Sequence, residues 1–218
     1  MKLNSILMDL NNNKKLGFLN AKKGKDFEDR IVSLLISKEY TRLPNDEFKN
    51  LKYFKEIKKA IINFNKEGIV KINNPELIEI SNSPRLVYQP FGKQYSPDLL
   101  LIKKGSIVPI ELKFTAKKVK NPVWNSGLPR QNYLYVFGSY ELKDISFFSG
   151  SDLLTFEEEF EIKKLVNSER EKLKNNGLKI LDTFEIYLRP MYNQKSNIWK
   201  NPKRENFQLH AINLFKDF

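Results

Sequence analysis

Residues 96–114 read SPDLLLIKKGSIVPIELKF, two apolar runs on either side of Lys104-Gly105. Short runs of Leu, Ile and Val bounded by turn residues predict strands, and a turn centred on Lys104-Gly105 predicts an antiparallel hairpin, although Lys is a mediocre occupant of a tight primed turn. With the midpoint between 104 and 105, Ile102 faces Ile107 and Asp98 faces Glu111. Directly opposed residues have Cβ atoms about 4.5–5.5 Å apart, near enough for two carboxylates to share a divalent cation. Strand alternation sends Glu111 and Lys113 to one face and Val108, Ile110, Leu112 and Phe114 to the other. One face therefore reads as core and the other as a site; a longer or bulged turn would slip this pairing by one residue.

Two facing carboxylates in partly apolar surroundings repel and take up protons unless a cation compensates them, and oxygen-only ligands suit Mg²⁺ or Mn²⁺. The Lys113 ammonium beside such a pair can polarise an attacking water or stabilise charge on a phosphorane-like transition state, which suits phosphodiester hydrolysis. A bare Glu-x-Lys triplet is common and by itself describes a salt-bridged strand face. Here it follows Pro97-Asp98 at hairpin spacing, and that favours the site.

Pro97-Asp98, twelve intervening residues and then Glu111-Leu112-Lys113 resembles the PD-(D/E)xK nuclease signature. QPFGKQYSPDLLL followed by ELKFTAKKVKNPVWNSGLPRQNYLYVF is similar to type II restriction endonucleases in particular, over about residues 24–140. The resemblance implies an α/β restriction-endonuclease-like core, a mixed central β-sheet flanked by helices. It also implies a Mg²⁺-dependent enzyme, with Mn²⁺ as a substitute, cutting double-stranded DNA at a specific short site. In those terms Asp98 and Glu111 hold the metal, the Leu112 backbone carbonyl completes its shell and Lys113 serves the water. Glu28 matches a Glu on the first helix that reaches the metal cluster in many members. Its face, shared with Ile31, Val32 and Leu35, turns toward the core, but compensation of the helix dipole together with Asp26 and Asp29 explains it as well. Gln94 resembles a polar position beside the motif.

The rest of the 218 residues reads as one domain, a catalytic core over about 24–190 and a basic C-terminal segment over 191–218. A balance of 40% hydrophobic and 29% charged residues is that of a chain that folds, which excludes a disordered or membrane-embedded class. Asn4, Ser5 and Asp9 interrupt the apolar residues of the opening stretch before a signal-peptide core forms, so the expected location is cytoplasmic, without a membrane. With no cysteine there is no disulfide, thiolate metal site or cysteine nucleophile. The net charge of +12 draws the chain to polyanions, although 31 of its 38 basic residues are lysines and a biased composition accounts for that equally well.

GKDFEDRIVSLLISKEY predicts an amphipathic helix with Phe27, Ile31, Leu34 and Leu35 on its stripe, and about 46–65 predicts a second with Phe48, Leu51, Phe54, Ile57 and Ile61. LVYQ, NYLYVFG, ISFF and TFEIYLRPMY predict further strands. Ser151 is the expected cap of a long helix that is acidic early and basic late, and FQLHAINLF predicts a final strand or helix.

Beyond the motif, Lys117, Lys118, Lys120, Asn121, Asn125, Arg130, Gln131 and Asn132 are the candidate DNA contacts, in a stretch too rich in Pro and Gly for a continuous helix. Lysines suit phosphates, whereas Arg, Asn and Gln can pair bidentately with base edges, so sequence specificity is expected within 117–132. Trp124 reads as a core residue fixing this loop. Arg189, Lys195, Lys200, Lys203 and Arg204 near Trp199 are a second DNA contact or a solvated tail, and His210 reads as a packed residue. A homodimer is expected, because a palindromic duplex site has two-fold symmetry. Two other functions share this core: a Holliday-junction resolvase or repair nuclease, and a DNA-binding protein without catalysis.

Overall fold

The computed structural model describes residues 2–12, 21–64, 66–116, 124, 127–175 and 201–218. Their strands are β1 (Thr41–Arg42), β2 (Val70–Lys71), β3 (Arg85–Tyr88), β4 (Leu99–Lys103), β5 (Ser106–Thr115), β6 (Leu134–Ser139) and β7 (Asp144–Ser149). These seven form one mixed sheet in the order β1-β3-β4-β5-β6-β7, with β2 paired to β5 off that path. β3, β4 and β5 form an antiparallel meander, β6 lies parallel to β5, and β7 returns antiparallel to β6. The protein is thus α/β with a mixed central sheet flanked by helices, as expected at that level.

The hairpin has the expected register. Ile102 pairs with Ile107 and Leu99 with Ile110, so that continuing the count places Asp98 opposite Glu111, one residue before β4 begins. Both turn residues have positive φ, 48° at Lys104 and 73° at Gly105, as a two-residue primed turn requires. Lys occupies the first position because tertiary contacts hold the turn: the Lys104 amide donates to the Ser81 carbonyl at 2.7 Å and the Gly105 amide to Ser81 Oγ at 3.1 Å. At Gly105 a β-carbon would stand 2.7 Å from the Ile72 carbonyl oxygen, so only glycine fits that approach.

Helices cover both faces. On one face α1 (Leu3–Asn12), α2 (Gly24–Ser37) and α7 (Arg204–Leu214) pack Leu3, Ile6, Leu7, Phe27, Ile31, Leu35 and Ala211 against Leu99, Val108, Ile110, Leu112 and Val136. The opening residues are therefore a helix whose i, i+3, i+4, i+7 stripe of Leu3, Ile6, Leu7 and Leu10 is buried, with the interrupting Asn4, Ser5 and Asp9 on its other side. On the opposite face α3 (Asn45–Lys49), α4 (Phe54–Asn63) and α5 (Pro75–Ile80) pack Phe48, Ile57, Ile61 and Leu77 on Leu100, Ile102 and Ile107. A separate cluster of Trp124, Tyr133, Tyr135, Phe137 and Phe148 lies over β6 and β7. The face expected to be a site is thus mostly core, and the polar residues of β5 occupy the gap between two apolar clusters.

Two local expectations are corrected. The second helix is broken between Lys49 and Phe54, where the Lys52 amide donates to the Glu76 carboxylate at 3.0 Å instead of to a helical carbonyl; the break lets Phe48 and Phe54 meet edge to face at 5.5 Å. Ser151 lies in a 3-10 turn (Gly150–Asp152), and the long helix α6 (Phe156–Asn175) is capped by Thr155, whose Oγ1 accepts from the Glu158 amide while the Glu158 carboxylate accepts from the Thr155 amide. The alternatives for the C-terminal segment resolve to helix in α7. The expected strand TFEIYLRPMY lies outside the described residues.

Because a non-glycine residue at positive φ is strained, Lys104→Asn, which restores the preferred Asn-Gly turn, should stabilise the protein by about 0.5–1 kcal/mol. Urea denaturation checks this, and a loss of stability would contradict the turn assignment.

Candidate active site

The loop between β3 and β4 delivers Asp98 to the sheet. Gln89 turns out of β3 at φ 48°, its amide donating to the Asp98 carbonyl at 2.7 Å, and the chain returns through a turn closed by Gly92 N–H to the Gln89 carbonyl at 3.0 Å. This continues the β3–β4 ladder one pair beyond the strands and brings Ser96, buried Pro97 and Asp98 alongside the middle of β5.

Asp98, Glu111 and Lys113 come together there. Asp98 Oδ2 accepts from the Leu112 amide at 2.7 Å. Glu111, 7% exposed, accepts from Lys113 Nζ at 2.7 Å through Oε1 and from Ser96 Oγ at 2.9 Å through Oε2. Lys113 also lies 5.7 Å above the Trp124 ring. Burial pushes the Asp98 carboxyl up to about 7; the Glu111 carboxylate and, more weakly, Glu28 push the same way, against the Leu112 amide and Lys113. Desolvation is the first of these causes, so the raised carboxyl reports its burial before it reports the neighbouring negative charge.

Glu28, on α2 and half-buried, accepts a short hydrogen bond from the Tyr88 hydroxyl. That hydroxyl itself accepts from Gln89 Nε2 at 2.8 Å and Lys25 Nζ at 2.9 Å. Glu28 is therefore held toward Asp98 from the α2 side of the sheet, close enough to raise the Asp98 carboxyl.

Several expected DNA contacts are placed differently. Gln131 and Asn132 are 6% and 1% exposed: Gln131 Nε2 donates to Glu159 at 3.2 Å and Asn132 Nδ2 to the Ile61 carbonyl at 3.2 Å. Their amides satisfy the interior and present nothing to a base edge in this arrangement. Arg130 is exposed at the rim, with Nη1 donating to the Ile62 carbonyl at 3.0 Å. Trp124 is buried and packs edge to face on Tyr135 at 4.9 Å, the core role expected of it. Arg204 is engaged by Asp144 through two hydrogen bonds of 2.8 Å, joining α7 to β7, and Lys203 is exposed. His210 Nδ1 lies 2.7 Å from Asp152 Oδ1. Lys117, Lys118, Lys120, Asn121, Asn125, Arg189, Lys195, Trp199 and Lys200 lie outside the described residues.

Sequence reasoning missed Ser96, Tyr88 and Tyr133. Ser96 adjoins Pro97-Asp98, and the computed register could have set it beside the Glu111 strand. Tyr88 carries no such signal, because its link to Glu28 spans 60 positions. The Tyr133 phenol, buried and turned to Ser96, is pushed up to about 12 chiefly by desolvation.

The donors suit a hard divalent cation, being carboxylate and carbonyl oxygens with uncompensated charge at Asp98. Among the described residues no three acidic or histidine side chains gather into a metal cage. The two carboxylates that could hold a cation are Asp98 and Glu111, opposite each other on the hairpin.

Burial pushes the folded Asp98 carboxyl up from the ordinary 3.8 to about 7. Between those values the folded state binds the proton more tightly, so stability is greatest at the acid end and falls as the pH rises through 7. Asp98→Asn should remove that fall, raising stability at pH 8 by about 1–3 kcal/mol and changing little at pH 4. Denaturation at both pH values without metal measures it, and an unchanged pH profile would contradict the buried charge.

No family model, curated protein or solved structure matches this chain, and its functional reading therefore rests on the geometry of Asp98, Glu111 and Lys113.

Proposed function

We propose that the protein is a Mg²⁺-dependent endonuclease of the PD-(D/E)xK kind, with a restriction-endonuclease-like core, that hydrolyses phosphodiester bonds in double-stranded DNA at a short specific site, as type II restriction enzymes do. The observation that carries this reading is the meeting of Asp98, Glu111 and Lys113 at one point of a hairpin. Support comes from Glu28 on α2, which is near enough to raise the Asp98 carboxyl, and from the +12 charge, which favours a polyanion.

Asp98, Glu111 and the Leu112 carbonyl would hold Mg²⁺ or Mn²⁺. Bound there, the ion would polarise a phosphoryl oxygen and acidify a water. Lys113 supplies a cation that needs no proton balance of its own: its ammonium can hold the attacking water or neutralise charge developing on the phosphoryl oxygens. Ser96 and Lys113 fix the Glu111 carboxylate from both sides, which orients it before any substrate arrives. A homodimer would match the two-fold symmetry of a palindromic site.

Lys113→Ala should stop cleavage of unmethylated plasmid in Mg²⁺ while retaining duplex binding. Asp98→Asn should also stop it, with metal-free duplex affinity unchanged or tighter, since a negative charge near the phosphate is removed. Gel shift without metal, paired with plasmid digestion and sequencing of the ends, reads both. Full cleavage by Lys113→Ala would remove the mechanism, and a wild type that binds duplex but cuts nothing in Mg²⁺ or Mn²⁺ would favour a binding protein.

A further inference from the structure

Glu111 and Lys113 open onto a cleft of about 240 Å³ that the metal-and-water chemistry does not account for. One wall is the catalytic strand with Ser96. The other is built from Lys58 on α4 and from Phe91 and Tyr95 in the loop before Asp98, and Arg130 stands at the rim. The volume is below the roughly 300–1,000 Å³ of a pocket for a drug-sized ligand. It has room for one small planar group beside the catalytic residues, not for a stack of base pairs.

Tyr95 is the unusual member. It is 64% exposed although it lies in a loop whose neighbours Phe91 and Pro97 are buried. The loop is shaped to present it: Gly92, at φ 105°, permits the turn in which the Tyr95 amide donates to the Gly92 carbonyl at 3.1 Å. The Lys58 ammonium stands over the Tyr95 ring, 5.4 Å from its centroid, and 5.2 Å from that of Phe91, which sets a cation against an aromatic residue that stays largely exposed. Among the described residues, Lys58, Lys113 and Arg130 make the lining cationic against the single carboxylate of Glu111. An exposed ring with cations around it is the combination that takes an unstacked nucleotide, its base on the ring and its phosphate on the cations. A paired base in a duplex has both faces covered by its neighbours and offers only its edges to a groove.

We infer that this cleft receives one unpaired nucleotide of the DNA strand, with its base against Tyr95 and the Lys58 edge and its phosphate toward Lys113 and Arg130. The inference rests on the nuclease reading and adds the state of the substrate at the site. The nucleotide comes from a single strand or is extruded from a duplex; the cleft chemistry is the same for both.

Oligonucleotides carrying 2-aminopurine at several positions, as single strand and as duplex, should be mixed without metal with wild type, Tyr95→Ala, Tyr95→Phe and Lys58→Ala. Wild type should change the emission. Tyr95→Ala should lose that change and bind about tenfold more weakly in the responding arm, Tyr95→Phe should keep both, and Lys58→Ala should weaken binding with the emission change retained. A response confined to the single strand assigns a single-stranded nucleotide, and a response in the duplex assigns extrusion. Unchanged emission in both arms, or wild-type affinity in Tyr95→Ala, would overturn the inference. Plasmid digestion in Mg²⁺ separates the two readings: cutting with unchanged emission removes the cleft alone, and Tyr95-dependent binding without cutting removes the nuclease alone.

Discussion

A strand has only two faces, and the pairing of β4 with β5 decides which face Glu111 and Lys113 occupy. A slip of one residue would turn both toward α2 and bring Leu112 and Phe114 to the cleft. The register is held by the two-residue turn at Lys104-Gly105 and by Ser81, which accepts from both turn amides. Asp98, Glu111 and Lys113 are therefore positioned from the opposite end of the hairpin, through the regular spacing of the strands. A lysine at positive φ persists in that turn because Ser81 and the glycine after it define the backbone around it.

The same face must be apolar enough to fold and polar enough for the proposed chemistry. It does so by division: one apolar cluster lies under α3, α4 and α5, another of aromatic rings lies over β6 and β7, and the carboxylates occupy the gap. Glu111 is satisfied there by Ser96 and Lys113, whereas Asp98 has the Leu112 amide and the repulsion of its neighbours. Desolvation by the flanking clusters is what raises the Asp98 carboxyl, and the same desolvation would strengthen the hold of those oxygens on a cation. Stability and proposed chemistry thus pull against each other at Asp98.

Charge is less concentrated on function than the total of +12 implies. Arg204 ties α7 to Asp144, Lys38 reaches Asp9 between α2 and α1, and Lys25 joins α2 to Tyr88. Among the described residues, Lys58, Lys113 and Arg130 are the cations that line the cleft. Their placement, not the total, gives the proposed site its preference for a phosphate.

The hairpin, its register and the meeting of Asp98, Glu111 and Lys113 were legible in residues 96–114, because alternation along a strand and the geometry of a two-residue turn are local. The helix stripe of α2 followed from equally local spacing, whereas the C-terminal segment read as strand or helix alike. The break between α3 and α4 was not legible, since it depends on Glu76 reaching the Lys52 amide from α5. Nor was the fate of Gln131 and Asn132, whose amides look like base readers in a polar stretch and instead meet Glu159 and the Ile61 carbonyl. Tyr88 beside Glu28, Tyr133 beside Ser96 and Lys58 in the same cleft as Lys113 join positions far apart in the chain, and only the packing of helices on the sheet brings them together. Local periodicity encodes which side of a strand a residue faces; what stands opposite it is a property of the closed fold.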